Sequence, residues 1–106
     1  MKTYNKLVRD KIPEIIKEKD NKVPIFRILD DKEYLFELNK KLLEEVNEYI
    51  EENNVEELAD IVEVIYGILN YMEISVEEFE KIRKDKSEKR GAFLEKIYLE
   101  SVEDND

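Results

Sequence analysis

The stretch EEVNEYIEENNVEELAD, Glu44 to Asp60, decides how this chain is read. It carries eight carboxylates and no cation. Glu45 and Glu48 stand three residues apart, as do Glu57 and Asp60, and that spacing puts each pair on one face of a helix. Asn53-Asn54 interrupts the run with turn residues, and Asn54 is a good N-cap. The pattern predicts two helices folded back on one another about these asparagines. In such an antiparallel pair Glu48 comes level with Glu57, and Glu45 with Asp60. Helix axes pack about 8–10 Å apart, so side chains from both helices reach a common point.

Working outward, Asp30-Asp31 with Glu33 forms a cap for a helix running to about Glu52. Leu35, Leu38, Leu42 and Tyr49 form its heptad-like stripe, flanked by Phe36, Leu43, Val46 and Ile50. Glu45 falls where that stripe calls for an apolar residue. The partner helix, about 55–73, carries Leu58, Ile61, Val62, Ile65, Ile68, Leu69 and Met72. Ser75 with Glu78 is a capping box for a further helix to about Arg90, which Gly91 can end. Toward the N-terminus, residues 1–9 read as an extended arm. Asp10 is the expected cap of a short helix with Pro13 in its first turn, ending near a break at Asn21-Lys22. The apolar, β-branched run 24–29 and the stretch 93–99 could pair as a minor two-stranded element. The expectation is a single, mainly all-α domain over residues 1–106. It is a helical bundle around an antiparallel hairpin, about 31–52 and 55–73.

Composition agrees and narrows the chemistry. Charged residues make up 43% of the 106 residues and apolar ones 42%, with only two Gly and two Pro, which favours helix. With no Cys there are no disulfides and no thiolate chemistry; with no His, the commonest general base and zinc ligand is gone. A net charge of −10 argues against nucleic-acid partners. No apolar run approaches the length of a membrane span, and the N-terminal residues lack a signal-peptide core. A cytoplasmic protein with no membrane partner is expected. A core this small would gain from oligomerisation.

From Leu42 through Glu80 there are thirteen acids and no Lys or Arg. A solvated helix face normally interleaves the two signs. Glu44, Glu51, Glu52, Glu56 and Glu63 read as such a face, with supporting roles open to Glu44 and Glu63. Glu57, three residues after the Asn54 cap, is also favourable there as a first-turn acid. Glu45, Glu48, Glu57 and Asp60 instead face the seam, where carboxylates repel unless protonated or joined by a cation. Magnesium, which takes oxygen ligands and completes its shell with water and phosphates, is the fitting ion, with manganese as a substitute.

The residues Glu44-Glu45-Val46-Asn47-Glu48 and Glu57-Leu58-Ala59-Asp60 resemble the EExxE…ExxD signature of the MazG-like all-alpha nucleoside triphosphate pyrophosphohydrolases. The start, Lys6-Leu7-Val8-Arg9-Asp10-Lys11-Ile12-Pro13-Glu14, resembles the phosphoribosyl-ATP pyrophosphohydrolase-like branch. So does Arg90-Gly91-Ala92-Phe93 with Lys96 and a final apolar run. The resemblance implies that Glu45, Glu48, Glu57 and Asp60 ligate magnesium. It implies cleavage of a nucleotide between its α- and β-phosphates, to a monophosphate and pyrophosphate, as in nucleotide-pool sanitation. It implies a homodimer or homotetramer. For such a reaction a carboxylate must serve as base: Glu48 or Glu45, with Glu44 behind them. Arg9, Lys11, Lys86 and Arg90 are the candidates for the substrate phosphates. Tyr66, Tyr71 and Phe93 are available to stack on a base, and Asn47 to read its edge. Gly67, inside a helix, is most simply explained by close helix packing. The rival expectation is a non-catalytic helical oligomer, or a metal- or nucleotide-binding regulatory module using the same acids.

Overall fold

The computed structural model describes residues 1–105, and every regular element in them is a helix. These are α1 (Ile12–Glu18), α2 (Asp31–Glu52), α3 (Val55–Met72) and α4 (Val76–Arg90). The chain divides into two compact units, Met1–Ile74 and Ser75–Asp106. No helix among the described residues is long and apolar enough to cross a membrane.

Local chemistry sets the ends of the long helices. Asp30 accepts a hydrogen bond from the Glu33 N–H at 2.8 Å, starting α2. Asn53 ends it in a left-handed conformation, φ 52°, donating its own N–H to Tyr49 O at 2.7 Å. Asparagine tolerates that conformation better than most residues. Asn54 then accepts from the Glu57 N–H at 3.1 Å and starts α3. Two adjacent asparagines thus do opposite jobs, one as C-cap and one as N-cap, and the reversal takes two residues. α3 ends at Glu73, φ 59°, with the Ile74 N–H returning to Leu69 O at 3.0 Å. Such paired returns stop a helix by satisfying its last carbonyls.

In the first unit α2 packs along α3. The register matches the one read from the acids. Leu38 lies seven residues before Glu45, and Gly67 seven after Asp60; a Cβ built on Gly67 would stand 2.8 Å from Leu38 Cδ2. Another turn along, the Tyr34 and Tyr71 rings meet edge to face at 6.4 Å. Gly67 therefore serves close packing: its missing side chain is the space Leu38 fills. The apolar core is small. Leu38 and Leu69 are its buried residues, whereas Phe36, Leu43 and Ile50 on the flank of the α2 stripe stay exposed, as do Val62, Tyr66 and Met72 on α3.

Two expectations need correction. Residues 24–29 and 93–99 are not strands; neither stretch has regular structure. A lone two-stranded ladder is marginal in water, Pro24 cannot donate to one, and Lys96 adopts φ 61°, outside the β region. The 24–29 run is tied to α2 instead, by a forked Arg27–Glu33 pair at 2.7 and 3.1 Å. Asp10 is also not the cap of α1. Lys11 holds that position without a side-chain bond. The helix starts from a backbone turn, Ile12 N–H to Arg9 O at 3.1 Å, followed by the fixed φ of Pro13.

The second unit begins at Ser75, which caps α4 through the Glu78 N–H at 3.1 Å. Gly91, φ 85°, ends it by donating to Ser87 O at 2.8 Å. Residues 91–105 are exposed and without regular structure apart from one turn.

Candidate metal centre

The α2–α3 seam brings together Glu45, Glu57 and Asp60. Each offers a carboxylate oxygen, and these oxygens all lie within 4.8 Å of one another. Glu45 is 7% exposed, the one charged residue buried among the described residues, and it holds the apolar position of the α2 stripe that its sequence spacing gave it. Leucine there would simply extend the core. A carboxylate there has been desolvated at a cost.

The cost is visible in the polar partners. Glu45 Oε2 and Glu57 Oε2 are both shielded from solvent with no hydrogen-bond partner. Buried polar atoms are paired in the great majority of cases, and an orphan needs a reason. Burial pushes the Glu45 carboxyl above its usual range, reinforced by Glu48 and Asp60 and opposed by Lys41. Glu57 is pushed in the same direction, by desolvation first and then by Glu48, Asp60 and Glu45. A shared cation would supply both orphaned oxygens and cancel this repulsion. The donor set is entirely carboxylate oxygen, which fits hard cations such as magnesium, manganese or calcium.

The other expected site residues fall into three groups. Glu48 is exposed and stands against the cluster, acting on both Glu45 and Glu57 through its charge and through side-chain hydrogen bonding; the tightest group is Glu45, Glu57 and Asp60. Glu44 is exposed and turned toward Lys41 Nζ at 3.8 Å. Arg9 is drawn to the cluster: its Nη2 donates to Asp60 Oδ1 at 2.6 Å. Lys11 is exposed at the start of α1, and Lys86 and Arg90 are exposed on α4 in the second unit. One contributor escaped sequence reasoning. Lys41 Nζ lies 3.7 Å from Glu45 Oε1. It stands just upstream of the cation-free block, four residues before Glu45, and i,i+4 spacing was the signal that could have found it.

The sign of the two shifts makes a prediction. A carboxyl raised in the folded state adds stability below its unfolded pKa and loses it as pH rises through the folded value. Glu33 and Glu80, held low by Arg27 and Arg83, lose their contribution only below the ordinary carboxylate range. In chelator, melting temperature should therefore rise as pH falls from 7 to about 5. At pH 7, metal at 100 times its Kd should add about 2.7 kcal/mol, roughly 10–20 °C for a unit of this size. That increment should shrink toward pH 5 as protons compete for the same oxygens. A thermal scan over pH with and without magnesium checks both; an increment independent of pH would count against a carboxylate site.

No protein-family model, curated protein or solved structure matches the chain.

Proposed function

We propose that the protein is a magnesium-dependent nucleotide pyrophosphohydrolase of the MazG-like all-alpha kind, cleaving between the α- and β-phosphates. The observation that carries this reading is the pair of orphaned buried oxygens on Glu45 and Glu57, beside Asp60, in a seam that apolar residues would otherwise fill. Glu45, Glu57 and Asp60 would hold the ion. When bound, magnesium supplies charge neutralisation of the polyphosphate and polarises the phosphate under attack.

The chain's own residues supply the rest. Glu48 is our choice of base: it adjoins the cluster, within reach of Glu45 and Glu57, and is open to solvent. Glu45 is too enclosed to exchange protons readily with water, and Glu44 is partnered by Lys41. Arg9 is within reach of the cluster through Asp60 and offers a planar fork suited to phosphate oxygens. The expected result is pyrophosphate release from nucleoside triphosphates that requires magnesium and stops in EDTA. A screen over common and modified nucleotides measures it, and release unaffected by EDTA would reject the reading.

A second reading is supported by a different observation. Only Leu38 and Leu69 are buried apolar residues among those described, while much of the apolar surface of α2 and α3 is exposed. That favours assembly of α2 and α3 with further copies into a larger bundle, as a homodimer or homotetramer, with or without catalysis. A non-catalytic oligomer would show no magnesium increment in melting and no pyrophosphate release.

A further inference from the structure

The cluster already has one cation on it, and that cation belongs to the chain. Asp60 is both a member of the three-acid group and the partner of Arg9, at 2.6 Å. We propose that Arg9 is an internal counter-cation of this site: its guanidinium competes with a divalent ion for Asp60, and metal entry releases it to bind a phosphate-bearing ligand. This rests on the reading of Glu45, Glu57 and Asp60 as metal ligands.

Several features make the exchange feasible. Both partners are about half exposed, at 58% and 40% for the two side chains, so neither is locked by packing. An exposed pair of this kind contributes little net stability, so a tighter-binding cation displaces it. Guanidinium does not lose its proton, so a second positive charge arriving on the same carboxylate repels it and weakens the pair. The move is local. The Arg9 backbone is held at the head of α1, where its carbonyl accepts from the Ile12 N–H at 3.1 Å, and only the long side chain need swing. Glu45 and Glu57 have no comparable protein donor on their buried oxygens. Asp60 is thus the ligand where protein and metal meet in competition.

The consequence is coupling. If metal releases Arg9, metal strengthens binding of a phosphate group at Arg9, and linkage requires the phosphate group to strengthen metal binding equally. A site built this way resists filling by either ligand alone and favours the two together.

The test measures magnesium binding to the full chain by calorimetry. Arg9→Ala should bind magnesium about two- to fivefold more tightly than the unaltered chain, the range set by loss of an exposed competing ion pair. Arg9→Gln, which keeps a polar side chain without the charge, should do the same. Lys17→Ala removes a cation from the last turn of α1 and should change affinity less than either. With inorganic phosphate as probe, magnesium should raise phosphate affinity in the unaltered chain and raise it less in Arg9→Ala. Equal magnesium affinity in the unaltered and Arg9 variants overturns the competition while leaving the metal site standing. An effect of Lys17→Ala as large as that of Arg9→Ala reduces it to net charge and overturns it too. No magnesium binding by any of them removes the metal reading, and this inference with it.

Discussion

Glu57→Gln should abolish magnesium-dependent pyrophosphate release and, in chelator, leave the protein folded with a higher melting temperature at pH 7. The two effects have one cause. Glu57 contributes an oxygen that is shielded from water and unpartnered, and its carboxyl is pushed upward by desolvation and by three neighbouring acids. Replacing it with a neutral amide removes repulsion from Glu48, Asp60 and Glu45. It also removes charge from the group proposed to hold the ion. Losing even a supporting partner of a metal ligand typically costs about 10–100-fold in affinity or activity, so losing a direct ligand should exceed that range. Asp60→Asn should likewise lose activity, but with less gain in chelator stability, because Asp60 is already balanced by Arg9. Activity assays paired with melting in EDTA check both. A Glu57→Gln protein that keeps its pyrophosphate release would remove the acid cluster from the reaction.

The second large effect lies in the core beneath the site. Leu38→Ala should destabilise the protein by about 2–5 kcal/mol, the range for a buried leucine whose surroundings cannot collapse. Leu38 is 4% exposed and one of two buried apolar residues among those described. It faces Gly67, which has no side chain to move into the gap. A natural domain has only about 5–15 kcal/mol to lose. Gly67→Ala in the Leu38→Ala background should recover part of the loss: the new Cβ no longer meets a leucine methyl, and alanine is about 1 kcal/mol better than glycine within a helix. In the unaltered chain the same Cβ would stand 2.8 Å from Leu38 Cδ2 and force a shift. Denaturant unfolding of the four proteins gives the coupling directly. Additive effects would mean that Leu38 and Gly67 do not share the space ascribed to them.

Much of the fold is legible in the order of the residues. The caps Asp30, Asn54 and Ser75 each do what their spacing announces, because a cap is settled between residues three apart. The register of α2 on α3 is legible because a periodic stripe and a short turn leave few ways to align two helices. The paired spacing of the acids picks out Glu45, Glu57 and Asp60, which converge, together with Glu48, which is not in the closest group. The expected strands and the Asp10 cap fail for a shared reason. Apolar runs and an Asp before a helix are local signals that do not suffice: a strand needs a partner and a cap needs its side chain turned inward, and neither condition is local.

By itself, then, the sequence determined the helices, the caps of α2, α3 and α4, and the intrusion of Glu45 into an apolar stripe. These follow from interactions within a few residues and from helical period. Only the tertiary structure decided that Glu45, Glu57 and Asp60 form the tightest group, with Glu48 set against two of them. It alone placed Arg9 on Asp60, fifty-one residues away in the chain. Such a contact depends on where an irregular arm returns to a helix, and no periodicity along the chain encodes that.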